Sequence, residues 1–247
     1  MNTQNVSPVA IVTGASRGIG AAIAERLAKD GFAVAVNYAS SAGPADALVA
    51  KIVTDGGRAV AVRADISKPA DVRGLFDTTI AEFGKPSVLV NNAGIMKNAT
   101  IAEFADSVYD ETFDINVRGT LNTMREAAAK LADGGRVINF STTALALNLP
   151  AYGIYNASKA AVEALTRVFA KEMRGRRITV NAVAPGPVAT ELFLHGKTDE
   201  QIRQFASMPP LQRLGEPADI AGVVSFLAGP DGGWVNGQTL RANGGLA

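Results

Sequence analysis

Tyr155 and Lys159 are the two side chains in this sequence best suited to proton transfer. They are four residues apart in YNASK, so on a helix both side chains project from one face. A tyrosine phenol has a pKa of ~10 and exchanges its proton slowly near neutrality, and a nearby ammonium group would lower that pKa. The pair therefore predicts a phenol activated for acid–base chemistry, although Tyr–Lys pairs at this spacing are common on helix surfaces. Tyr152 offers a second phenol, but its partner four residues on is the uncharged Asn156.

A glycine-rich segment near the N-terminus could bind phosphate groups. Its sequence is TGASRGIG at 13–20, after a short apolar run and before a segment of helical period. Glycines at 14, 18 and 20 permit a tight turn in which backbone N–H groups and a helix N-terminus face a pyrophosphate. Such turns also join strands to helices without binding anything, but this context favours a dinucleotide site. The glycine spacing differs from the GxGxxG of the common Rossmann fingerprint.

The elements that must position these residues are strands and helices in alternation. Short apolar runs occur at 9–13, 32–36, 59–63, 87–91, 136–140, 178–183 and 238–241. Segments of helical period occur at 18–30, 45–55, 68–83, 100–131, 155–174 and 217–228. Continuous apolar runs are typical of strands buried on both faces. The pattern predicts an α/β fold, with one Rossmann-type domain over residues 1–247 and a doubly wound sheet of about seven parallel strands.

The segment 186–216, called the lid segment below, interrupts this alternation. It follows the sixth predicted strand, where open α/β sheets place their ligand crevice, and it contains large apolar residues such as Phe193 and Phe205. We interpret it as a substrate lid; a long connection without a binding role is the alternative. Its apolar residues indicate a partly hydrophobic substrate, or packing within the lid or on a neighbouring subunit. His195, also in this segment, is expected to be a surface residue.

From Thr13 onward the chain resembles the short-chain dehydrogenase/reductase family. The motifs that carry the resemblance are TGASRGIG at 13–20, NNAG at 91–94, Asn116 in DINVRG, YNASK at 155–159, and Pro185-Gly186. Within the family the chain looks most like the 3-oxoacyl-[acyl-carrier-protein] reductases and related NADP-dependent carbonyl reductases. The resemblance implies hydride transfer between C4 of a nicotinamide and a carbonyl or secondary-alcohol carbon, while the protein supplies orientation and proton transfer. No metal is required.

The resemblance also implies catalytic roles. Tyr155 would protonate the developing alkoxide, and Lys159 would lower the pKa of that phenol and bind the nicotinamide ribose. Asn116 would perturb its helix, hold a water and link the lysine to solvent.

A second hydroxyl is expected to accompany the phenol. Family members place a serine 13 residues before the tyrosine, and here that position is Thr142. Pro150 lies where the family often has a proline, which supports this register. Threonine keeps the hydroxyl, but its methyl group restricts the rotamer and narrows the pocket. If the loop is shifted, Ser141 is the alternative hydroxyl.

The second predicted strand indicates which nicotinamide cofactor is preferred. It ends in NYASS at 37–41, without the carboxylate that binds the ribose 2′-hydroxyl in NAD-dependent Rossmann domains. Because an acid there would repel a 2′-phosphate, its absence favours NADP(H), with NAD(H) as the alternative. Arg17 could supply positive charge, and Asn37, Ser40 and Ser41 could donate hydrogen bonds.

Further cofactor contacts are implied by the resemblance. Asp65 would contact adenine, although an aspartate at a strand end also caps turns well. The loop after the fourth strand would pack along the adenosine half, and Pro185–Thr190 would line the nicotinamide. The full predicted set is Gly14, Ser16, Arg17, Gly18, Ile19, Gly20, Asn37, Tyr38, Ser40, Ala64, Asp65, Ile66, Asn92, Ala93, Gly94, Tyr155, Lys159, Pro185, Gly186, Val188 and Thr190.

Composition excludes several classes of protein. The 247 residues carry 24 basic and 23 acidic side chains, which gives no concentrated basic face for nucleic acid or an anionic membrane. The absence of cysteine and the single histidine exclude disulfides, thiolate catalysis and Cys- or multi-His metal sites. The first ten residues lack a signal-peptide pattern and no stretch resembles a membrane span, so a cytoplasmic location is expected.

Partners and rival functions complete the expectations. The resemblance implies a homotetramer, or a homodimer, built from helices around 100–131 and 155–174 and the segment 234–247. The basic run RGRR at 174–177 could meet an acidic carrier protein that presents the substrate, although solvated charge at a helix end is the simpler interpretation. An NAD-linked polyol or sugar dehydrogenase is the alternative enzyme. A nicotinamide-binding regulatory protein without turnover is a further alternative, against which the intact Tyr155–Lys159 pair argues.

Overall fold

Seven parallel strands form the centre of the molecule. In the computed structural model, which describes residues 7–247, they are β1 (Val9–Val12), β2 (Ala33–Tyr38), β3 (Arg58–Arg63), β4 (Val88–Asn91), β5 (Arg136–Phe140), β6 (Thr179–Pro185) and β7 (Thr239–Ala242). Their order in the sheet is β3-β2-β1-β4-β5-β6-β7, and every neighbouring pair is parallel. The predicted doubly wound α/β fold is confirmed. Residues 1–6, part of the segment inspected for a targeting signal, lie outside the described residues.

Helices cover both faces of this sheet. The helices α1 (Gly18–Lys29), α2 (Ala42–Thr54) and α10 (Pro217–Ala228) pack on one face, and α3 (Pro69–Phe83), α5 (Thr120–Lys130) and α7 (Gly153–Glu172) pack on the other. In β1, Ala10 and Val12 join the first core, whereas Ile11 joins the second. Both sides of the strand are therefore buried, which explains why its sequence is apolar at successive positions.

Residues 7–247 also form four shorter α-helices, α4 (Asp106–Phe113), α6 (Ala144–Leu147), α8 (Glu191–Leu194) and α9 (Asp199–Ser207), and a 3-10 helix at Pro230–Trp234. The helical segment predicted over 100–131 begins only at Asp106 and is not one α-helix, since a π-helix at Asp114–Gly119 separates α4 from α5. The helices α8 and α9 lie in the lid segment. Thr198 caps α9 through a reciprocal capping box with Gln201, a local signal that apolar periodicity does not reveal.

The direction of the strand order reverses between β1 and β4. At their carboxyl ends, the N–H of Thr13 donates to the Val90 carbonyl at 2.9 Å, and the N–H of Ala93 donates to Thr13 Oγ1 at 3.1 Å. The turn after β1 and the loop after β4 are therefore adjacent. Open parallel sheets bind ligands at such a point, so the crevice is expected here.

Candidate active site

The glycine-rich turn is fixed by close contacts with the loop after β4. Gly14 has a φ of +61°, and a Cβ there would lie 2.8 Å from Ala93 Cα. At Gly20 a Cβ would lie 2.5 Å from Asn92 Nδ2, which donates 3.0 Å hydrogen bonds to the carbonyls of Thr13 and Gly14. Only glycine fits both positions, and the N-terminus of α1 is left open to the crevice.

The side chain of Asn37 is buried and hydrogen-bonds to this turn. Its side chain is 1% exposed, and its Oδ1 accepts a hydrogen bond from the N–H of Gly14 at 3.2 Å. Its Nδ2 donates to the carbonyls of Val62 and Ala64 at 3.2 and 3.0 Å. Both amide hydrogens are thus used within the chain, and the prediction that Asn37 donates to a 2′-phosphate is wrong.

Arg17 lies at the tip of the turn, where it contacts the lid segment. Its Nη1 is 3.5 Å from Oε2 of Glu191, and both side chains are exposed. A Cβ at Gly18 would lie 3.6 Å from Cγ2 of Thr190, whose Oγ1 accepts a hydrogen bond from the N–H of Phe193 at 3.2 Å. Exposed ion pairs contribute little to stability, so Arg17 can exchange Glu191 for another anion at small cost.

The other residues predicted around the adenosine half differ in exposure. Ser40 is exposed, whereas Ser16, Ile19, Tyr38 and Ser41 are half-buried. Ile19 and Tyr38 also pack against the hydrophobic core on the α1 side of the sheet. Arg17 and Ser40 are therefore the predicted 2′-phosphate ligands with the most accessible polar atoms.

Asp65 forms a turn after β3. Its Oδ1 accepts hydrogen bonds from the N–H and the hydroxyl of Ser67 at 3.0 and 2.7 Å, and Lys68 Nζ is 3.5 Å from its Oδ2. Desolvation raises the pKa of the Asp65 carboxyl, but the hydrogen bonds from Ser67 and the charge of Lys68 outweigh it, so the pKa lies below its usual value. Ala64 and Ile66 on either side are buried. Asp65 is thus a turn cap, and its predicted adenine contact stays a prediction.

The helix α7 brings Tyr155 and Lys159 to the carboxyl end of β5. Lys159 is 5% exposed, its Nζ donates to the Phe140 carbonyl at 2.9 Å, and the same Nζ lies 5.9 Å from the centroid of the Tyr155 ring. The Thr142 hydroxyl is within hydrogen-bonding reach of the Tyr155 phenol. Its oxygen also accepts a hydrogen bond from the N–H of Ala144 at 3.2 Å, which leaves its proton available to a ligand. The structure therefore brings the predicted phenol, ammonium and hydroxyl together.

Burial determines the protonation states of the pair. Removal from water lowers the pKa of Lys159 to about 8 and raises the pKa of Tyr155. Thr142 lowers the Tyr155 pKa, and Tyr152, with its ring centroid 6.4 Å away, raises it further. The pKa of Tyr155 therefore lies above its usual value because desolvation is the largest effect, and the predicted lowering of that pKa by Lys159 stays a prediction. The phenol stays protonated near neutral pH, as a proton donor must be.

Asn116 lies in the π-helix and joins it to the loop after β4. Its Oδ1 accepts from the N–H of Ile95 at 2.9 Å, and its Nδ2 donates to the Ile95 carbonyl and to Ser158 Oγ at 3.0 Å each. At Gly94, a Cβ would lie 3.1 Å from Asn116 Oδ1 and 3.3 Å from Lys159 Nζ. Asn116 is thus next to the lysine; its link to solvent stays a prediction.

Ser141 faces away from the phenol. It is 3% exposed, and its Oγ donates to Oε1 of Glu163 at 2.6 Å. Sequence reasoning did not identify Glu163, which is 22 residues from its partner. Of the two alternative hydroxyls, the structure places Thr142 beside Tyr155.

The end of β6 connects the loop after β5, which carries Thr142, to the last strand. The Pro185 carbonyl accepts from the N–H of Thr143 at 2.9 Å, and the N–H of Gly186 donates to the Ala242 carbonyl at 3.0 Å. A Cβ at Gly186 would lie 2.8 Å from Asn243 Cα. Val188, which follows, is buried. These contacts fix the predicted nicotinamide-lining segment against the sheet.

The lid segment has a small core of its own. The rings of Phe193 and Phe205 meet edge to face at 5.2 Å, and Lys197 Nζ lies 4.4 Å from the centroid of Phe193. Burial lowers the pKa of Lys197. His195 is exposed, as expected. The side chain of Leu192 lies outside the described part of the chain.

Comparisons with known proteins match nearly the whole chain. A family model described as enoyl-(acyl carrier protein) reductase matches residues 14–247. A short-chain type dehydrogenase/reductase of Picea abies is 45% identical, over 96% of this chain and 91% of the relative. An NADPH-dependent aldehyde reductase-like protein, chloroplastic, of Arabidopsis thaliana is 43% identical, over 96% of this chain and 93% of the relative. A blue fluorescent protein from a metagenomic library, solved in complex with NADPH, has a TM-score of 0.92 at 40% identity, covering 99% of this chain and 100% of that one.

The chain belongs to the short-chain dehydrogenase/reductase family. The resemblance inferred from its motifs is confirmed, and so is its class as an oxidoreductase. The match to the NADPH-bound structure covers the whole seven-stranded domain described above. Within residues 7–247, the helices are too short or too polar to cross a membrane, and no three His, Asp or Glu side chains cluster as metal ligands would.

Replacing Lys159 with methionine should stabilise this dehydrogenase/reductase fold at neutral pH. Because the pKa falls from 10.5 in the unfolded chain to about 8 in the folded one, the buried ammonium costs about 3 kcal/mol below pH 8. Loss of the hydrogen bond to Phe140 offsets about 1 kcal/mol of this gain. We expect Lys159→Met to raise the free energy of unfolding by about 2 kcal/mol at pH 7.

The extra stability of Lys159→Met should disappear as pH rises from 8 to 10.5. Over this range Lys159 releases its proton in the folded wild type but keeps it in the unfolded chain, so the wild type becomes more stable. Urea unfolding at pH 7 and pH 10.5 measures the difference. Lys171→Met, at an exposed position of the same helix, is the control. A stability difference that does not change with pH would contradict the argument.

Proposed function

We propose that this protein is an NADPH-dependent carbonyl reductase that converts a small aldehyde or ketone to an alcohol. The observation that carries the proposal is the convergence of Tyr155, Lys159 and Thr142 at the carboxyl end of β5, on the side of the sheet where the dinucleotide crevice opens. The NADPH-dependent relative and the NADPH-bound structural neighbour support the cofactor.

The crevice fits a dinucleotide. Gly14 and Gly20 let the turn pack closely on Ala93 and Asn92, and the N-terminus of α1 would bind the pyrophosphate. Arg17 and Ser40 would hold the 2′-phosphate, and Lys159 would bind the nicotinamide ribose. When bound, NADPH supplies the hydride that forms the new C–H bond at the carbonyl carbon.

The protein's own residues handle the oxygen and the proton. Thr142 would donate a hydrogen bond to the carbonyl oxygen, and Tyr155 would transfer its phenolic proton to that oxygen as negative charge develops. Lys159 would stabilise the resulting phenolate, and Asn116 would anchor the path by which the phenol regains a proton. The phenol begins protonated near neutral pH, as proton donation to the carbonyl oxygen requires.

The substrate we favour is a small carbonyl compound. Arg176 is bound to Asp133 at 2.8 Å and to the carbonyls of Ala128 and Leu131, so part of the basic run at 174–177 is already used. The run also precedes β6, which places it at the opposite edge of the sheet from Tyr155. This location gives no support to a carrier protein docked at the basic run. The apolar lid segment would close over the substrate.

We propose that the protein assembles as a homotetramer. Large apolar side chains are exposed on the outer helices and beside β7: Leu121 at 39%, Val168 at 54%, Phe226 at 41% and Trp234 at 99%. Such side chains favour contact with another subunit. The cytoplasmic location stays a prediction, and the Arabidopsis relative is named chloroplastic.

Tyr155→Phe should abolish most carbonyl reduction while NADPH binding persists. General acid catalysis is worth about 10²–10⁴ in rate, and phenylalanine removes only the hydroxyl. Aldehydes, ketones, 3-oxoacyl thioesters and, with oxidised cofactor, polyols are assayed by NADPH absorbance. Tyr152→Phe is the matched control. Cofactor binding without turnover of any substrate would favour the regulatory-protein alternative, and a Tyr155→Phe variant with normal turnover would remove this residue from the mechanism.

Arg17→Ala should weaken NADPH binding and leave NADH binding nearly unchanged. A hydrogen bond to a charged group is worth about 1.5–3 kcal/mol, so the NADPH dissociation constant should rise about 10- to 100-fold. Fluorescence titration with both cofactors measures the selectivity. Lys29→Ala, in the last turn of the same helix, is the control. Equal weakening of both cofactors would mean that Arg17 does not read the 2′-phosphate.

Thr142→Ala should lower turnover by about 10²–10³, the usual effect of removing one oxyanion donor. Ser141→Ala should lower it far less, since that hydroxyl contacts Glu163. Thr142→Ser keeps the hydroxyl and should retain or raise the rate. Turnover is compared at saturating NADPH; the reverse order for the two alanine variants would show that Ser141 is the catalytic hydroxyl.

A further inference from the structure

The backbone on both sides of Thr142 is held by separate partners. Lys159 donates to the Phe140 carbonyl at 2.9 Å, and Ser141 Oγ donates to Glu163 at 2.6 Å. On the other side, Thr143 Oγ1 donates to the Ala184 carbonyl at 3.1 Å. Thr142 lies between these attachments, with its hydroxyl toward Tyr155. Its orientation therefore depends on how firmly its neighbours are fixed.

Glu163 is placed to fix one of those neighbours. On α7 it is one turn beyond Lys159 and two turns beyond Tyr155, so it extends the same helix face past the reactive pair. Its side chain is 23% exposed, and its second oxygen is 3.8 Å from Arg167 Nη1. A hydroxyl-to-carboxylate bond of 2.6 Å has the length of a charge-assisted hydrogen bond, which is stronger than a neutral one.

We propose that Glu163 is a positioning residue for carbonyl reduction: by holding Ser141 Oγ, it fixes the loop after β5 so that Thr142 presents its hydroxyl to the substrate oxygen. The inference rests on the function proposed above. Ser141 is buried on the Glu163 side and Thr142 faces the phenol, so the two side chains point in different directions. A backbone rotation that moved Ser141 away from Glu163 would therefore move the Thr142 hydroxyl as well.

A purely electrostatic role for Glu163 is the main rival. Glu163 lies four residues after Lys159, a spacing at which a carboxylate can stabilise an ammonium on a helix. The lowered pKa of Lys159, however, is caused by burial, without a contribution from a nearby carboxylate. The positioning role needs only an acceptor for the Ser141 hydroxyl, whereas the electrostatic role needs the negative charge. Glutamine separates the two, since it keeps an acceptor oxygen and loses the charge.

Glu163→Ala should lower kcat about tenfold, part of the 10²–10³ that the complete loss of one oxyanion donor costs. The NADPH dissociation constant should stay within about twofold of wild type, because the cofactor contacts are untouched. Ser141→Ala should give the same loss from the other side of the bond. Glu163→Gln should retain kcat within about threefold, and Glu172→Ala, exposed at the end of the same helix, should match the wild type.

A double-mutant cycle with Thr142→Ala gives the decisive readout. If Glu163 acts through the Thr142 hydroxyl, Glu163→Ala should cost nothing further, within about twofold, once that hydroxyl is absent. A general loosening of the fold would lower kcat by the same factor in both backgrounds. Additive losses, or a Glu163→Gln variant as poor as Glu163→Ala, would overturn the positioning role.

Other outcomes distinguish this inference from the function on which it rests. If Tyr155→Phe and Thr142→Ala lose turnover while Glu163→Ala and Ser141→Ala keep it, the positioning role is wrong and the proposed function stands. If Tyr155→Phe keeps normal turnover, the proposed mechanism fails instead. Thermal unfolding of each variant shows whether it is folded. If Glu163→Ala is not, Ser141→Ala and Glu163→Gln still decide the question, because neither removes a large side chain.

Discussion

The buried bond between Lys159 and the Phe140 carbonyl is the interaction on which the site depends. A carbonyl at the end of a strand needs a donor, and here it receives one from an ammonium group on the helix that follows. This contact, together with the bond between Ser141 and Glu163, joins the end of β5 to α7. The same contact holds Lys159 beside Tyr155 and the loop that carries Thr142, so the burial that lowers the Lys159 pKa comes from the geometry of the site. The buried Lys159 ammonium lowers the stability of the fold at the position where proton chemistry is proposed.

The π-helix between α4 and α5 also helps to position the site. A wider turn lets Asn116 reach both backbone groups of Ile95 while its amide also contacts α7. The wide turn ends at Gly119, where a Cβ would lie 2.5 Å from Ile66 Cδ1, so the helix packs closely on the loop after β3. The interruption of the helix therefore joins two loops of the crevice to the catalytic helix. A regular α-helix through these residues would direct the Asn116 side chain elsewhere.

Features set by local patterns could be predicted from the sequence, and features set by distant contacts could not. The apolar runs predicted the strands because burial on both faces leaves a continuous signal, as at Ala10–Val12. Asn37 was misread because its strand-end position indicated a ligand contact, whereas its donors are used by carbonyls about 25 residues away. The rise in the Tyr155 pKa could not be predicted for a related reason, since spacing reveals the nearby lysine but not the loss of water. Glu163 gave no signal, because a glutamate on a helix is ordinary until Ser141 is placed against it.

The loop that carries Thr142 and the lid segment differ in how firmly they are attached to the rest of the protein. The loop carrying Thr142 is attached to α7 and β6, elements of the central sheet and its covering layer. The lid segment has few buried side chains, packs two aromatic rings on each other, and meets the glycine-rich turn through the exposed pair of Arg17 and Glu191. Local stability follows buried contact, so the lid can rearrange at a cost far below that of unfolding. A rearrangement of the lid segment would therefore leave in place the bonds that attach the Thr142 loop to α7 and β6.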